Sequence, residues 1–469
     1  MKHIFLIILL FILIFPISCS EDNPEDFCGD GICDAIEKQK GLCPEDCSTE
    51  MLVYEEQSSA LAGTSFITYV PSEGIGNIAV KVTLPKSSRY LEGAPVLVYV
   101  STFFTPQEPV FDTSFIEITE QGFIHVTYLW PGKSDHGVSS EGIFDYGGED
   151  SLQALRDVIK FVSGDIPNYH GKYLSELCDI IPLSNNVGLY AFSHPGIAAT
   201  NVLALYSDEL NVAYFVGREN PTTSSVSAMD FGYWNDDIAV YNPFYVYPED
   251  YSPTTLAVDY SSVGWDDEQH IPYFDVNNNN VVEEGVDFIH GPNTPTLYGK
   301  TVYSKELTQA LLDNGALTEE TWPENVATPQ EAAELWDFRE TVDNYQEISS
   351  DLHVILIFNE YDHVQTVIDK PHIHQAYDGF TSAGVWTRLN PDSSYVQVFD
   401  PSSVTPDNNA NTEPSDWTTI KNWAYINKQQ LNMIVPYAAI LELADRTYTN
   451  TWDNNINNTL IRVETSILR

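Results

Sequence analysis

The residues best placed to do chemistry in this chain surround Ser193. They read Val187-Gly-Leu-Tyr-Ala-Phe-Ser193-His-Pro-Gly-Ile-Ala-Ala199, an apolar run, a serine and then small residues. The run Asn186–Phe192 suits a strand buried on both faces, and Gly196–Leu205 suits a helix packed directly behind it. A serine on that sharp strand-to-helix turn projects its hydroxyl from the top of a sheet, where the helix N-terminus favours developing negative charge. The turn crowds neighbouring Cβ atoms, so small residues are needed two before it and two or three after it; Ala191 and Gly196 meet the need. Pro195 is tolerated in the first helical turn, where its missing N–H costs nothing. The bland alternative is a helix N-cap serine that does no chemistry.

The elements that would position this serine alternate along the chain. Ile78–Leu84 alternates apolar and polar residues, as a half-buried strand does. Ala94–Val100 and Gly122–Trp130 are continuous apolar runs, as in strands covered on both faces. Ser151–Val162 places Leu152, Leu155, Val158, Ile159 and Val162 on one helical face. Asn211–Val216, Leu352–Phe358 and Ser394–Phe399 read as further strands. The expected fold class is therefore α/β, a doubly wound and mostly parallel sheet. Between residues 217 and 350 the rhythm breaks into a Tyr-, Asp-, Asn- and Pro-rich insertion. It holds one well-signalled helix, with Thr328 as cap, Pro329 in its first position and Glu331 completing a capping box. An insertion between late strands of such a sheet lies over the strands' C-terminal ends, so 217–350 is read as a lid.

With this context the chain resembles the α/β-hydrolase superfamily, in its peptidase and dienelactone-hydrolase-like branch, over roughly residues 65–445. It departs from the family's G-x-S-x-G: Ala191 stands for the first Gly and Pro195 for the second, with Gly196 one later. The resemblance implies Ser193 as nucleophile and an acid in the turn after a later strand, where Asp362 stands and Glu360 is the neighbouring alternative. The family's His follows the last strand, but no His occurs after His374. The base is therefore expected from His372 or His374 at the helix start marked by Pro371, with His363 the lesser alternative. One oxyanion donor would be the N–H of His194. The second would come from the loop after Ala94–Val100, at Thr102 or Phe103.

The chain has 469 residues, 43% of them apolar, ample to bury a core. With 21 Lys and Arg against 68 Asp and Glu, the net charge is −47. So acidic a surface repels phosphate backbones and anionic headgroups, which argues against nucleic-acid partners and favours cations. Residues 1–19 read as a signal peptide, basic then apolar and too short to span a bilayer. Ser18-Cys19 looks like a bacterial-type lipidation site, so export is expected, with membrane attachment only through a lipid on Cys19. In an oxidising compartment Cys28, Cys33, Cys43 and Cys47 within residues 20–50 read as two disulfides of unspecified pairing, with zinc the rival. The segment resembles small "CGDGxC…CPEDC" modules of exported proteins. Residues 51–64 read as a linker to a domain over 65–469, and Cys178 as a buried thiol.

Inside the insertion, Asp275, Asn277, Asn279 and Glu283 stand at positions one, three, five and nine of a loop resembling an EF-hand calcium loop. It departs from that loop where Asn280 replaces Gly and Asp287 falls one past position twelve; the alternative is an Asn-rich turn. No cofactor is expected for catalysis, and calcium is the cation expected here. The leading expectation is an exported serine hydrolase acting on an ester or peptide-like acyl bond. The competing one is a non-catalytic cell-surface scaffold on the same fold, which the lack of a late His favours.

Overall fold

The computed structural model describes residues 59–452, apart from 103–110, 112–117, 223–227, 236–237, 247–256, 292–295, 359–361, 368 and 400–433. These lie in one compact unit, Gln57–Arg469. The proposed signal peptide, Cys19, the four-cysteine module and most of the linker lie outside the described residues.

Eight strands form one sheet: β1 (Ser65–Ser72), β2 (Gly76–Thr83), β3 (Ala94–Val100), β4 (Ile124–Tyr128), β5 (Pro182–Phe192), β6 (Tyr214–Arg218), β7 (His353–Ile357) and β8 (Trp386–Leu389). They lie in the order β1-β2-β4-β3-β5-β6-β7-β8. β1 and β2 form an antiparallel hairpin and β2 runs antiparallel to β4. All other pairs are parallel. Every residue of β3 is buried, which requires layers on both faces and explains its unbroken apolar run.

Helix α1 (Glu149–Ser163) buries the stripe Leu152, Leu155, Val158, Ile159 and Val162 and ends on Gly164 at φ 81°, a left-handed cap that glycine adopts without strain. Helix α2 (Pro195–Leu205) is buried at every residue but the last, consistent with its small, apolar composition. Between β6 and β7 the chain departs from the sheet. Short antiparallel strands follow, then helices α3 (Lys305–Asp313) and α4 (Pro329–Arg339). Thr328 and Glu331 make the expected capping box of α4. This segment has its own apolar cluster, including Phe231, Phe274, Phe288, Leu307 and Leu311. After β7 come α5 (Pro371–Ser382), α6 (Ser393–Phe399) and α7 (Val435–Thr449), the last packed on β5, β6 and β7.

One expectation needs correction. The segment Ser394–Phe399 is helix α6 rather than a strand. The Asp392 carboxylate accepts from both the Ser394 backbone N–H (2.8 Å) and its hydroxyl (2.7 Å), a helix-opening contact that the local alternation did not reveal. The final strand is instead β8, whose four residues are too few to show a period.

Register decides what the sheet presents at its edge. Phe192 of β5 pairs with Arg218 of β6, and Arg218 pairs with Ile357 of β7. Three adjacent strands therefore end level, and the residues following them emerge side by side.

Candidate active site

Ser193 follows β5 at φ 62°, a left-handed conformation that is strained for a residue with a side chain. Its N–H donates to the Arg218 carbonyl (2.8 Å), extending the β5–β6 ladder by one rung. Glu219 follows β6 at φ 49°, and its N–H donates to the Ile357 carbonyl (2.9 Å). Beyond β7 the turn carries Asp362 and His363. Neighbouring strand ends thus deliver a hydroxyl, a carboxylate and an imidazole to one place.

The His363 ring bridges the other two. Its Nε2 lies 2.9 Å from Ser193 Oγ, and its Nδ1 lies 2.8 Å from Glu219 Oε2. The ring packs against Phe192, with centroids 4.6 Å apart. The His363 side chain is 33% exposed and the Glu219 side chain 1%. The site is therefore open on the imidazole side and closed behind the acid.

The electrostatics suit a base held by an acid. Burial depresses the His363 pKa, but the hydrogen bond and charge of Glu219, with the charge of Asp362, outweigh it and hold the imidazole above its ordinary 6.5. Burial pushes Glu219 up, but the bond and charge of His363, with the cations of Arg218 and Lys370, leave it below its ordinary value. Asp362 moves the other way. Burial first, then repulsion from Glu219, pushes it up to about 6.

The acid and base expected from the sequence are placed differently. Asp362 Oδ1 stands 3.7 Å from His363 Nδ1, farther than Glu219. Its carboxylate accepts instead from the N–H groups of Val364 (2.8 Å) and Gln365 (2.7 Å) and from Gln365 Nε2 (3.1 Å), so it ties up the turn that carries His363. Glu360 lies outside the described residues. His372 and His374 do stand in the first turn of α5, but both are buried. His372 Nδ1 lies 3.1 Å from Thr222 Oγ1, and burial lowers its pKa to about 4. Burial also lowers His374 well below its ordinary value. The imidazole beside Ser193 belongs to His363, the lesser alternative, because the turn after β7 reaches the elbow before α5 begins. Glu219 is a functional residue that the sequence reading misses, although the sequence carries a signal for it: an acid directly after a buried strand.

The elbow itself is tightly built. A Cβ on Gly196 would fall 2.1 Å from Asn220 Cγ, and one on Gly217 would fall 2.4 Å from Asn220 Oδ1. His194 is the N-cap residue of α2, so its peptide N–H belongs to the helix start beside the hydroxyl. Thr102 is half-buried, with its carbonyl 3.3 Å from Trp130 Nε1; Phe103 lies outside the described residues.

Among the described residues, Glu219, Asp362 and His363 are the one His, Cys, Asp and Glu group close enough to hold a metal, their ligand atoms lying within 4.8 Å of one another. The tautomer that offers Ser193 an acceptor at Nε2 carries its proton on Nδ1, which then has no lone pair for a cation. In the calcium-like loop the side chains serve the loop itself. Asp275 accepts from the Asn279 and Asn280 N–H groups (3.2 and 2.6 Å), Asn277 from the Asn279 N–H (3.2 Å), and Asn279 from the Val281 N–H (2.8 Å). Glu283 accepts from the Asn279 carboxamide (2.9 Å). Asx-type bonds of this kind hold the loop's own backbone. Cys178 is a buried free thiol, pushed up to about 12 by burial and then by Asp179. Among the described residues no helix is long and apolar enough to cross a membrane.

No protein-family model and no curated protein matches the chain. Solved structures similar to it include an esterase from the hyperthermophilic archaeon Pyrobaculum calidifontis, 12% identical over 84% of this chain and 87% of that one, with a TM-score of 0.40. An acylaminoacyl peptidase from Pyrococcus horikoshii is 9% identical over 74% of this chain and 38% of that one, with a TM-score of 0.35. Dipeptidyl peptidase 4 of Porphyromonas gingivalis is 9% identical over 70% of this chain and 31% of that one, with a TM-score of 0.33. The chain thus spans about a third of the length of these peptidases.

Proposed function

We propose that the chain is a serine hydrolase on an α/β-hydrolase fold, cleaving an ester or peptide-like acyl bond. One observation carries this reading: the unbroken relay from Ser193 Oγ through His363 (2.9 Å) to Glu219 (2.8 Å). Ser193 attacks the acyl carbon while His363 Nε2 takes its proton, and the imidazolium formed is held by Glu219. His363 then protonates the leaving group. A water, deprotonated by the same nitrogen, releases the acyl group from Ser193. The negative oxygen of each tetrahedral intermediate would lie against the His194 N–H and the start of α2.

The insertion acts as a lid in this reading, beginning after Asn220 rather than at 217, since Gly217 and Arg218 belong to β6 and Glu219 to the relay. Its Trp234 indole donates to the Asp362 carbonyl (2.7 Å), so the insertion touches the turn that carries the base. Export, lipidation of Cys19 and two disulfides among Cys28, Cys33, Cys43 and Cys47 complete the proposal, on the sequence alone. Calcium at the Asp275–Glu283 loop is a further proposal, tested by whether chelation lowers the melting temperature.

The test of the whole reading is labelling with a serine-directed fluorophosphonate, with the adduct mapped by mass spectrometry. An adduct on Ser193 that vanishes in Ser193→Ala is expected. A folded protein that takes no label favours the non-catalytic scaffold instead.

A further inference from the structure

Asn220 follows the acid in sequence and is 6% exposed. Its carboxamide faces the nucleophile elbow. Nδ2 lies 2.7 Å from the Ser193 carbonyl, 3.0 Å from the Arg218 carbonyl and 3.3 Å from the Ala191 carbonyl. All three partners are acceptors, which requires the amide nitrogen to face them. One side chain just beyond β6 therefore braces the end of β5 two residues before the elbow and at the elbow itself. Room for it is made by two glycines. Any Cβ on Gly196 or Gly217 would overlap the carboxamide.

The bond to the Ser193 carbonyl has a specific consequence. That C=O and the N–H of His194 belong to one planar peptide unit and point in opposite directions. Fixing the oxygen fixes the direction of the N–H. The Gly196 N–H also donates to this oxygen (2.9 Å), as the first turn of α2 demands, but the helix alone pins it from one side only. Asn220 supplies the second point of attachment. Ser193 sits at φ 62°, where the backbone gains from being held.

We propose that Asn220 is a positioning residue that aims the His194 N–H at the oxyanion, acting through the Ser193–His194 peptide plane. The proposal rests on the serine-hydrolase reading. It assigns Asn220 no proton transfer and no contact with substrate. Loss of the brace should therefore weaken stabilisation of the tetrahedral oxygen while leaving the Glu219–His363 pair as it is.

The experiment compares wild type with Asn220→Ala and Gly217→Ala, the second keeping the carboxamide but displacing it. Each is assayed on an activated ester and on its thiono counterpart, whose larger sulfur accepts hydrogen bonds poorly and gains little from a well-aimed donor. On the oxygen ester kcat should fall by about 10²-fold with KM little changed, the size of effect seen when one oxyanion donor is lost. The thiono ester should lose far less, so the oxygen-to-thiono rate ratio should fall about tenfold or more. The acid limb of the pH profile should stay where wild type has it. An unchanged ratio overturns the proposal, whether both substrates are slowed equally or neither is. Failure of both variants to fold also overturns it, because Asn220 would then be a residue of the fold. Wild type that takes no fluorophosphonate on Ser193 refutes the underlying reading instead.

Discussion

Replacing Glu219 by Gln separates the two carboxylates that flank His363. Glu219 Oε2 lies 2.8 Å from Nδ1 and Asp362 Oδ1 lies 3.7 Å away. At an effective dielectric of about 20, a full charge at the first distance stabilises the imidazolium by about 6 kcal/mol, and at the second by about 4 kcal/mol. Both are upper values, because the ring is 33% exposed and water screens part of each. Halving the Glu219 value leaves about 3 kcal/mol, or roughly 10²-fold in rate. The neutral amide can also present its NH₂ to Nδ1 and select the wrong tautomer, a change that costs about 10⁴-fold in a Ser-His-Asp triad. Glu219→Gln is therefore expected to lower kcat by about 10³-fold, between these limits, with KM altered little. Asp362→Asn should cost about tenfold or less, because the Asp362 oxygens already serve the N–H groups of Val364 and Gln365 and the Gln365 carboxamide. The assay is steady-state hydrolysis of a small activated ester, with melting curves to verify folding. If Glu219→Gln stays within a few-fold of wild type while Asp362→Asn loses activity, Asp362 is the acid and the reasoning here is wrong.

Two further outcomes follow from the same geometry and a third from the cysteine spacing in the sequence. His363 must be neutral to accept the serine proton and its pKa is raised, so kcat/KM should rise with pH through an acid limb lying above 6.5. Asp362→Asn removes one charge that holds the imidazole up, so the limb should move to lower pH; a limb that stays or rises would contradict the assignment. His372→Ala should leave kcat within a few-fold of wild type while lowering the melting temperature, since the ring is buried against Thr222; loss of turnover in a folded variant would return it to the site. Under the proposed export, thiol counting by mass spectrometry should find Cys28, Cys33, Cys43 and Cys47 oxidised and Cys178 free, and free thiols or stoichiometric zinc at the four would refute the disulfide reading.

The sequence by itself determined the strand-to-helix elbow, because its causes are local. An apolar run, a serine and small residues at fixed offsets leave few backbone solutions, and Ser193 takes the left-handed turn they imply. It determined β3 and β5 as buried strands, α1 from its stripe and the α4 cap from Thr328 and Glu331, all within windows of a few residues. β8, four residues long, is too short to show a period, and the alternation over Ser394–Phe399 misleads at α6, which the Asp392 carboxylate opens. The sequence offers His363 only as a lesser alternative and Glu219 not at all; which side chains meet Ser193 belongs to the tertiary structure. Glu219 and His363 lie 144 residues apart in sequence, yet meet at 2.8 Å. They meet because β5, β6 and β7 end in register, and that register pairs strands far apart in the chain. The sequence supplied two carboxylates and several imidazoles near strand ends. Which of them face the hydroxyl was decided by the order of the strands and by the turn that buries Asp362 while turning His363 toward Ser193.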